Sequence, residues 1–107
     1  MSAKYWQRGE TIDYTTTEAV SNGDVVDLAT RIGVAGNDIA AKETGAVHVV
    51  GVFEIPKATG EITLGAAVYW DKSAKNITTT SDSNTPAGWA VAAAKSDDAT
   101  VLVKLLG

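Results

Sequence analysis

The run Ala46-Val47-His48-Val49-Val50-Gly51-Val52-Phe53-Glu54-Ile55-Pro56 decides how the rest of the chain is read. Its branched and aromatic side chains suit a pleated surface and lose rotamer freedom in a helix. Residues 46–55 are the longest strand candidate in the sequence. Gly51 within them marks a bulge or a sharp bend. Pro56 ends the run, because proline has no N–H to give a ladder. His48 lies between Val47 and Val49, so its side chain faces away from theirs.

The same vocabulary recurs on both sides in short pieces set between turn residues. Towards the N-terminus, residues 10–15 alternate, with Ile12 and Tyr14 on one face. Ser21-Asn22-Gly23-Asp24 is a turn, since Asn-Gly supplies positive φ angles. Residues 25–28 and 31–35 follow as strands, and Gly36-Asn37-Asp38 turns again. Residues 39–41 are short enough for a single helical turn. Lys42-Glu43-Thr44-Gly45 then turns into the long run.

Towards the C-terminus, Ala58-Thr59-Gly60 is a loop, and 61–64 lead to Gly65. Residues 67–70 are a strand, 71–76 a polar turn, and 77–80 its hairpin partner. Ser81-Asp82-Ser83-Asn84-Thr85-Pro86 is the most polar loop. Alanine favours helix in 88–93, but the segment is short. Trp89, Val91 and Ala93 alternate after a glycine, so it reads as strand. Ser96-Asp97-Asp98 turns into the last strand, 100–106. The fold class is therefore all-β, a small barrel or sandwich of short, mostly antiparallel strands.

A weak internal repeat runs through these pieces. Gly23-Asp24-Val25-Val26-Asp27-Leu28, Gly33-Val34-Ala35 and Ala46-Val47-His48-Val49 make one pass. Gly65-Ala66-Ala67-Val68-Tyr69-Trp70, Gly88-Trp89-Ala90 and Thr100-Val101-Leu102-Val103 make the second. Chance matching of Gly and Val competes with that reading.

At 107 residues the chain has the length of one domain. Residues 1–9 read as an extended arm and 10–107 as a single β domain. The net charge of −4 repels phosphate backbones, and the nine Lys and Arg are scattered, so nucleic acid is not an expected partner. There is no cysteine, and the single histidine cannot build a multi-histidine metal site. No apolar run approaches the roughly 18 residues of a membrane helix. The N-terminus lacks the apolar core of a signal peptide. These features lead to the expectation of a soluble protein made in a cytoplasm, with no cofactor.

Motifs for chemistry are weak. The nearest phosphate-loop candidate ends at Ala94-Lys95-Ser96, but Trp89 and Ala94 occupy its glycine positions. His48 is the only ordinary general base for a serine or threonine, and a surface or subunit-interface histidine is the plainer reading. Asp82, Asp97 and Asp98 lack the spacing of a calcium loop and read as solvated turn carboxylates. Tyr69 and Trp70 are neighbours on a strand, so one faces the core and the other faces out. Trp70 and Trp89 would both line the pocket of a small-ligand or carbohydrate-binding barrel, if they converge. The most telling stretch is Lys4-Tyr5-Trp6-Gln7-Arg8. Two aromatics and two cations there precede the first strand, and Trp, Tyr and Arg are the usual anchors of protein interfaces. Docking of this arm on another protein competes with its folding back onto its own domain.

Several blocks also carry a resemblance. They are Gly9-Glu10-Thr11-Ile12-Asp13-Tyr14-Thr15, Gly23-Asp24-Val25-Val26, Ile32-Gly33-Val34-Ala35 and Gly51-Val52-Phe53-Glu54-Ile55-Pro56-Lys57, with Val68-Tyr69-Trp70-Asp71 and Val101-Leu102-Val103-Lys104-Leu105. Together, from about Lys4 to the end, they resemble the phage capsid cement family. Lys42 departs from it, since the family often has glycine there. The resemblance implies a non-enzymatic decoration protein of the virion, bound to the outer surface of the assembled head. Its partners would be the major capsid protein and further copies of itself, often as trimers. Some members carry an older label, RecA/RadA-like phage recombinase, which the failed phosphate-loop pattern contradicts. Another head or tail component and the small-ligand barrel are the alternatives.

Overall fold

Short runs of Val, Ile, Thr and aromatic residues, each ended by turn formers, pair into strands in the computed structural model, which describes residues 2–106. The strands are β1 (Thr11–Thr15), β2 (Val25–Asp27), β3 (Ile32–Ala35), β4 (Thr44–His48) and β5 (Val52–Pro56), then β6 (Ala67–Asp71), β7 (Asn76–Thr78), β8 (Thr85–Ala90) and β9 (Thr100–Leu105). No helix forms among the described residues. One antiparallel sheet has the order β1-β4-β3-β2, and the other β5-β9-β8-β6-β7. Both sheets are open, so of the two architectures read from sequence the molecule is the sandwich. A single parallel bridge, Lys57 to Ile77, joins β5 to β7 at one end without closing the second sheet.

The weak repeat is visible as topology. Within the first sheet β4-β3-β2 lie side by side, and within the second β9-β8-β6 do the same. β1 adds beside β4 as β5 adds beside β9, giving each half the order of a Greek key. The hairpin strand β7 is the one addition in the second half. The loops correspond as well. Val20 bridges Ile39 in the first half, and Ile62 bridges Ala94 in the second. The Gly23 N–H donates to the Ala35 carbonyl at 2.8 Å, and the Gly65 N–H to that of Ala90 at 2.8 Å.

One glycine pair shows why the halves match. Gly33 faces Val26 across β2–β3, and Gly88 faces Val68 across β6–β8. A Cβ on Gly33 would lie 2.9 Å from the His48 carbonyl oxygen, and one on Gly88 only 1.9 Å from that of Lys104. In both halves the middle strand crosses its neighbour too closely for any side chain.

Two hydrophobic clusters result. The smaller holds Val26, Ala35, Ile39, Val47 and Val49, with Ile12, Tyr14, Val20 and Leu28 around it. The larger is built on the corresponding positions of the second half, including Val68, Ala90, Ala94, Val103 and Leu105. It also takes in Ile32, Val34 and Val25, from the opposite face of the first sheet. That face of the first half is therefore covered by the second half. The Thr85 hydroxyl donates to the Asp27 carboxylate at 2.8 Å and ties the halves with a polar contact.

Lys57 is an unusual part of this framework. It is 8% exposed, and its ammonium donates to the carbonyls of Ala58, Ser96 and Asp98 at 2.9, 3.2 and 3.3 Å. Its counterpart Thr16, also buried, uses its hydroxyl on the Ala40 carbonyl at 3.2 Å.

Four sequence expectations need correction. Residues 46–55 are two strands in different sheets, β4 and β5. Gly51, at φ +129°, makes the bend that carries the chain from one sheet to the other. Thr44 and Gly45, read as turn, already belong to β4. Residues 39–41 form no helical turn, and Ile39 instead bridges Val20. The strand expected over 88–93 starts earlier, at Thr85, because the Asn84 N–H closes a tight turn on the Ser81 carbonyl at 3.1 Å. A bulge opposite Val68 and Tyr69 then accommodates Pro86, which has no ladder donor.

Candidate functional site

Residues 2–9 precede β1 and lie outside every strand. All five residues of Lys4-Tyr5-Trp6-Gln7-Arg8 are exposed, with Tyr5 at 82% and Trp6 at 86%. The Gln7 side-chain amide donates to the Thr11 carbonyl at 2.8 Å. The Arg8 guanidinium stands 3.9 Å from the Glu10 carboxylate, and both side chains are solvated. A surface pair of this kind contributes little stability. Neither aromatic ring is covered by the domain beside it.

The other residues singled out from the sequence scatter. His48 faces away from the buried Val47 and Val49 and rests 5.8 Å, ring to ring, from Phe53. It sits at the seam between the halves, with no serine or carboxylate hydrogen-bonded to it among the described residues. Lys95 and Ser96 lie in the turn region between β8 and β9, where the Asp98 carboxylate accepts the Lys95 N–H at 2.8 Å. That turn leads into a strand and offers no helix N-terminus for a phosphate. Among the described residues no three His, Cys, Asp or Glu group as metal ligands.

Trp70 and Trp89 do not converge. Trp70 is in the larger core, as the sequence assigned to one of the Tyr69–Trp70 pair. Trp89 is on the outer face of the same sheet and 42% exposed. The two rings therefore cannot line one pocket, which removes the feature on which the ligand-barrel alternative rested. A cleft of about 450 Å³ between the halves does touch Trp70, but its rim mixes Glu18, Asp24 and Asp27 with Lys72 and Lys75 and converges on no single chemistry.

A second exposed surface was missed in the reading of the sequence. The outer face of the second sheet carries Val52, Leu102 and Trp89, all exposed, around Lys104. The available signal was the alternation of β9, where Val101, Val103 and Leu105 take the inner side and leave Leu102 outside.

These features define a class: a two-sheet β protein whose distinctive chemistry is at its surface, in exposed aromatic and aliphatic side chains. A family model described as phage cement protein matches residues 6–105. The chain belongs to that family, a family of phage structural proteins. No curated protein and no solved structure matches it.

Proposed function

We propose that this protein cements an assembled phage head by binding its outer surface, with the major capsid protein as its partner. The observation that carries the proposal is the exposure of Tyr5 and Trp6 on a stretch outside the sheets, in a chain of the cement family. Burying about 300 Å² of aromatic surface at ~25 cal/mol/Å² is worth about 7 kcal/mol before costs. Ordering five to seven residues costs about 1–2 kcal/mol each. One arm alone thus comes close to breaking even. Several subunits held together turn such weak contacts into firm attachment, because each later contact is intramolecular. This favours a homo-oligomer on the shell, with the trimer that the family resemblance implies. Anything that binds the intact shell better than its dissociated parts stabilises it by mass action.

In this reading Lys4, Tyr5, Trp6, Gln7 and Arg8 are the contact element, on an arm of residues 1–9, and 10–107 is the folded domain. Purified protein, with and without residues 2–8, is mixed with undecorated heads. Co-sedimentation and heat resistance of the particles are then measured. The truncated form is expected to keep its unfolding temperature and lose most binding. Equal binding by both forms would refute the role of the arm. Heads left as heat-sensitive by the full chain as without it would refute the cement function itself.

A further inference from the structure

We infer that the outer face of the second sheet is a self-association surface, which pairs with the same face of a second copy of this chain. The register across four strands places Val52, Lys104, Trp89 and Ala67 in one row on that face. The neighbouring row sets Glu54 beside Leu102. Val52, Trp89 and Leu102 are 51%, 42% and 41% exposed, and together they form an apolar patch on the order of a few hundred Å². That is a size an ordinary monomer can expose, so its counterpart in the first half and its charges decide what it does.

The internal repeat shows what such a face is for. In the first half, Val34 takes the place of Trp89 and Val25 that of Ala67, by matching positions in their ladders. Val34 and Val25 are covered by the larger core of the second half. Trp89 and Ala67 stand exposed. The same surface is thus sealed by protein in one half and bare in the other.

Charge selects the occupant. The face carries Lys104 and Glu54 on adjacent strands, diagonal to each other, with Asp71 at the far end of β6. Thr100 donates to one Glu54 oxygen at 2.9 Å. A two-fold axis lying in the interface between Leu102 and Val52 brings each Lys104 opposite the partner copy's Glu54. The aliphatic side chains then meet their own counterparts. Such a surface is complementary to itself, as an isologous contact requires. Four strands about 4.8 Å apart and about five residues long span a footprint of roughly 350 Å². This is less than half the usual area per partner, so the contact is weak, with dissociation in the upper micromolar range. It is independent of the arm and of the capsid reading, and can be measured without heads.

The test is sedimentation equilibrium of the full chain from micromolar to near-millimolar concentration. The particle mass is expected to double with rising concentration, whatever the starting oligomer. Trp89→Ser and Lys104→Glu should each weaken the doubling at least tenfold. The charge exchange Lys104→Glu with Glu54→Lys should restore it. Thermal unfolding of each variant confirms that the domain is intact, and Leu102→Ser provides a second probe if one variant fails to fold. A mass that never doubles overturns the inference, as does doubling indifferent to these substitutions. Loss of head binding by Trp89→Ser, with no doubling in the parent chain, would assign the face to the shell and overturn it equally.

Discussion

Replacing Gly88 by alanine tests the close crossing of β8 over β9. The added Cβ would lie 1.9 Å from the Lys104 carbonyl oxygen, 2.9 Å from its carbonyl carbon and 3.2 Å from the Leu105 Cα. A carbon and a carbonyl oxygen settle no closer than about 3.3 Å, so the strands must part by roughly 1.4 Å. A ladder bond lengthened by that much lies outside the hydrogen-bonding range of about 2.7–3.2 Å. Two backbone bonds weakened at a buried site cost on the order of 2–4 kcal/mol. Gly88 also sits at φ +147°, where an L side chain adds about 1–3 kcal/mol of strain. The expected loss is thus about 3–7 kcal/mol, a large part of the 5–15 kcal/mol typical of a domain. Gly65→Ala is the matched control. Its φ is +86°, but nothing lies within 4 Å of the new Cβ, so only the backbone cost of about 1–2 kcal/mol applies. Urea unfolding followed by circular dichroism gives both numbers. Equal losses, within about 1 kcal/mol, would show that the crossing can relax and that the steric reasoning fails.

The remaining predictions concern single positions. Gly33→Ala should resemble Gly88→Ala, though its closest clash, 2.4 Å, is with the Val47 side chain, which can yield more than backbone. Lys42 holds φ +66°, so Lys42→Gly should relieve strain and stabilise by about 0.5–1 kcal/mol, read as a rise of a few degrees in Tm. An unchanged or lower Tm would contradict it. Lys57→Met keeps the packed stem but leaves the Ala58, Ser96 and Asp98 carbonyls without their donor. A loss of about 2–3 kcal/mol in urea unfolding is expected, and a loss below about 1 kcal/mol would show that water replaces the ammonium.

Strand content was legible because β-branched residues and turn formers punctuate the chain so regularly. Residues 10–15, 31–35, 67–70 and 100–106 lie within a residue or so of β1, β3, β6 and β9. Sheet membership was not. Val47, Val49, Phe53 and Ile55 keep one alternation through Gly51, so periodicity alone cannot show that the chain changes sheets there. Lys42 adopts a left-handed backbone that its sequence did not announce, and the turn itself is shorter than the sequence suggested. The early start of β8 was hidden because Thr85 and Pro86 are turn formers by composition, and only the bulge makes room for them. Of the surface, the exposure of Tyr5 and Trp6 was legible, since they have no apolar partners at strand spacing. The Trp89 face was not, because nothing local says which side of a strand a tryptophan takes.

The two-half design has a consequence for synthesis on the ribosome. Every ladder of the first sheet closes between residues 11 and 48, so that half can pair its strands before the later chain exists. Its other side, with Val25, Ile32 and Val34, then waits bare until the second half is made to cover it. A nascent chain at that stage displays a greasy flank of the kind chaperones hold. Slow translation past residue 50 would lengthen that exposed interval and with it the opportunity for premature clumping.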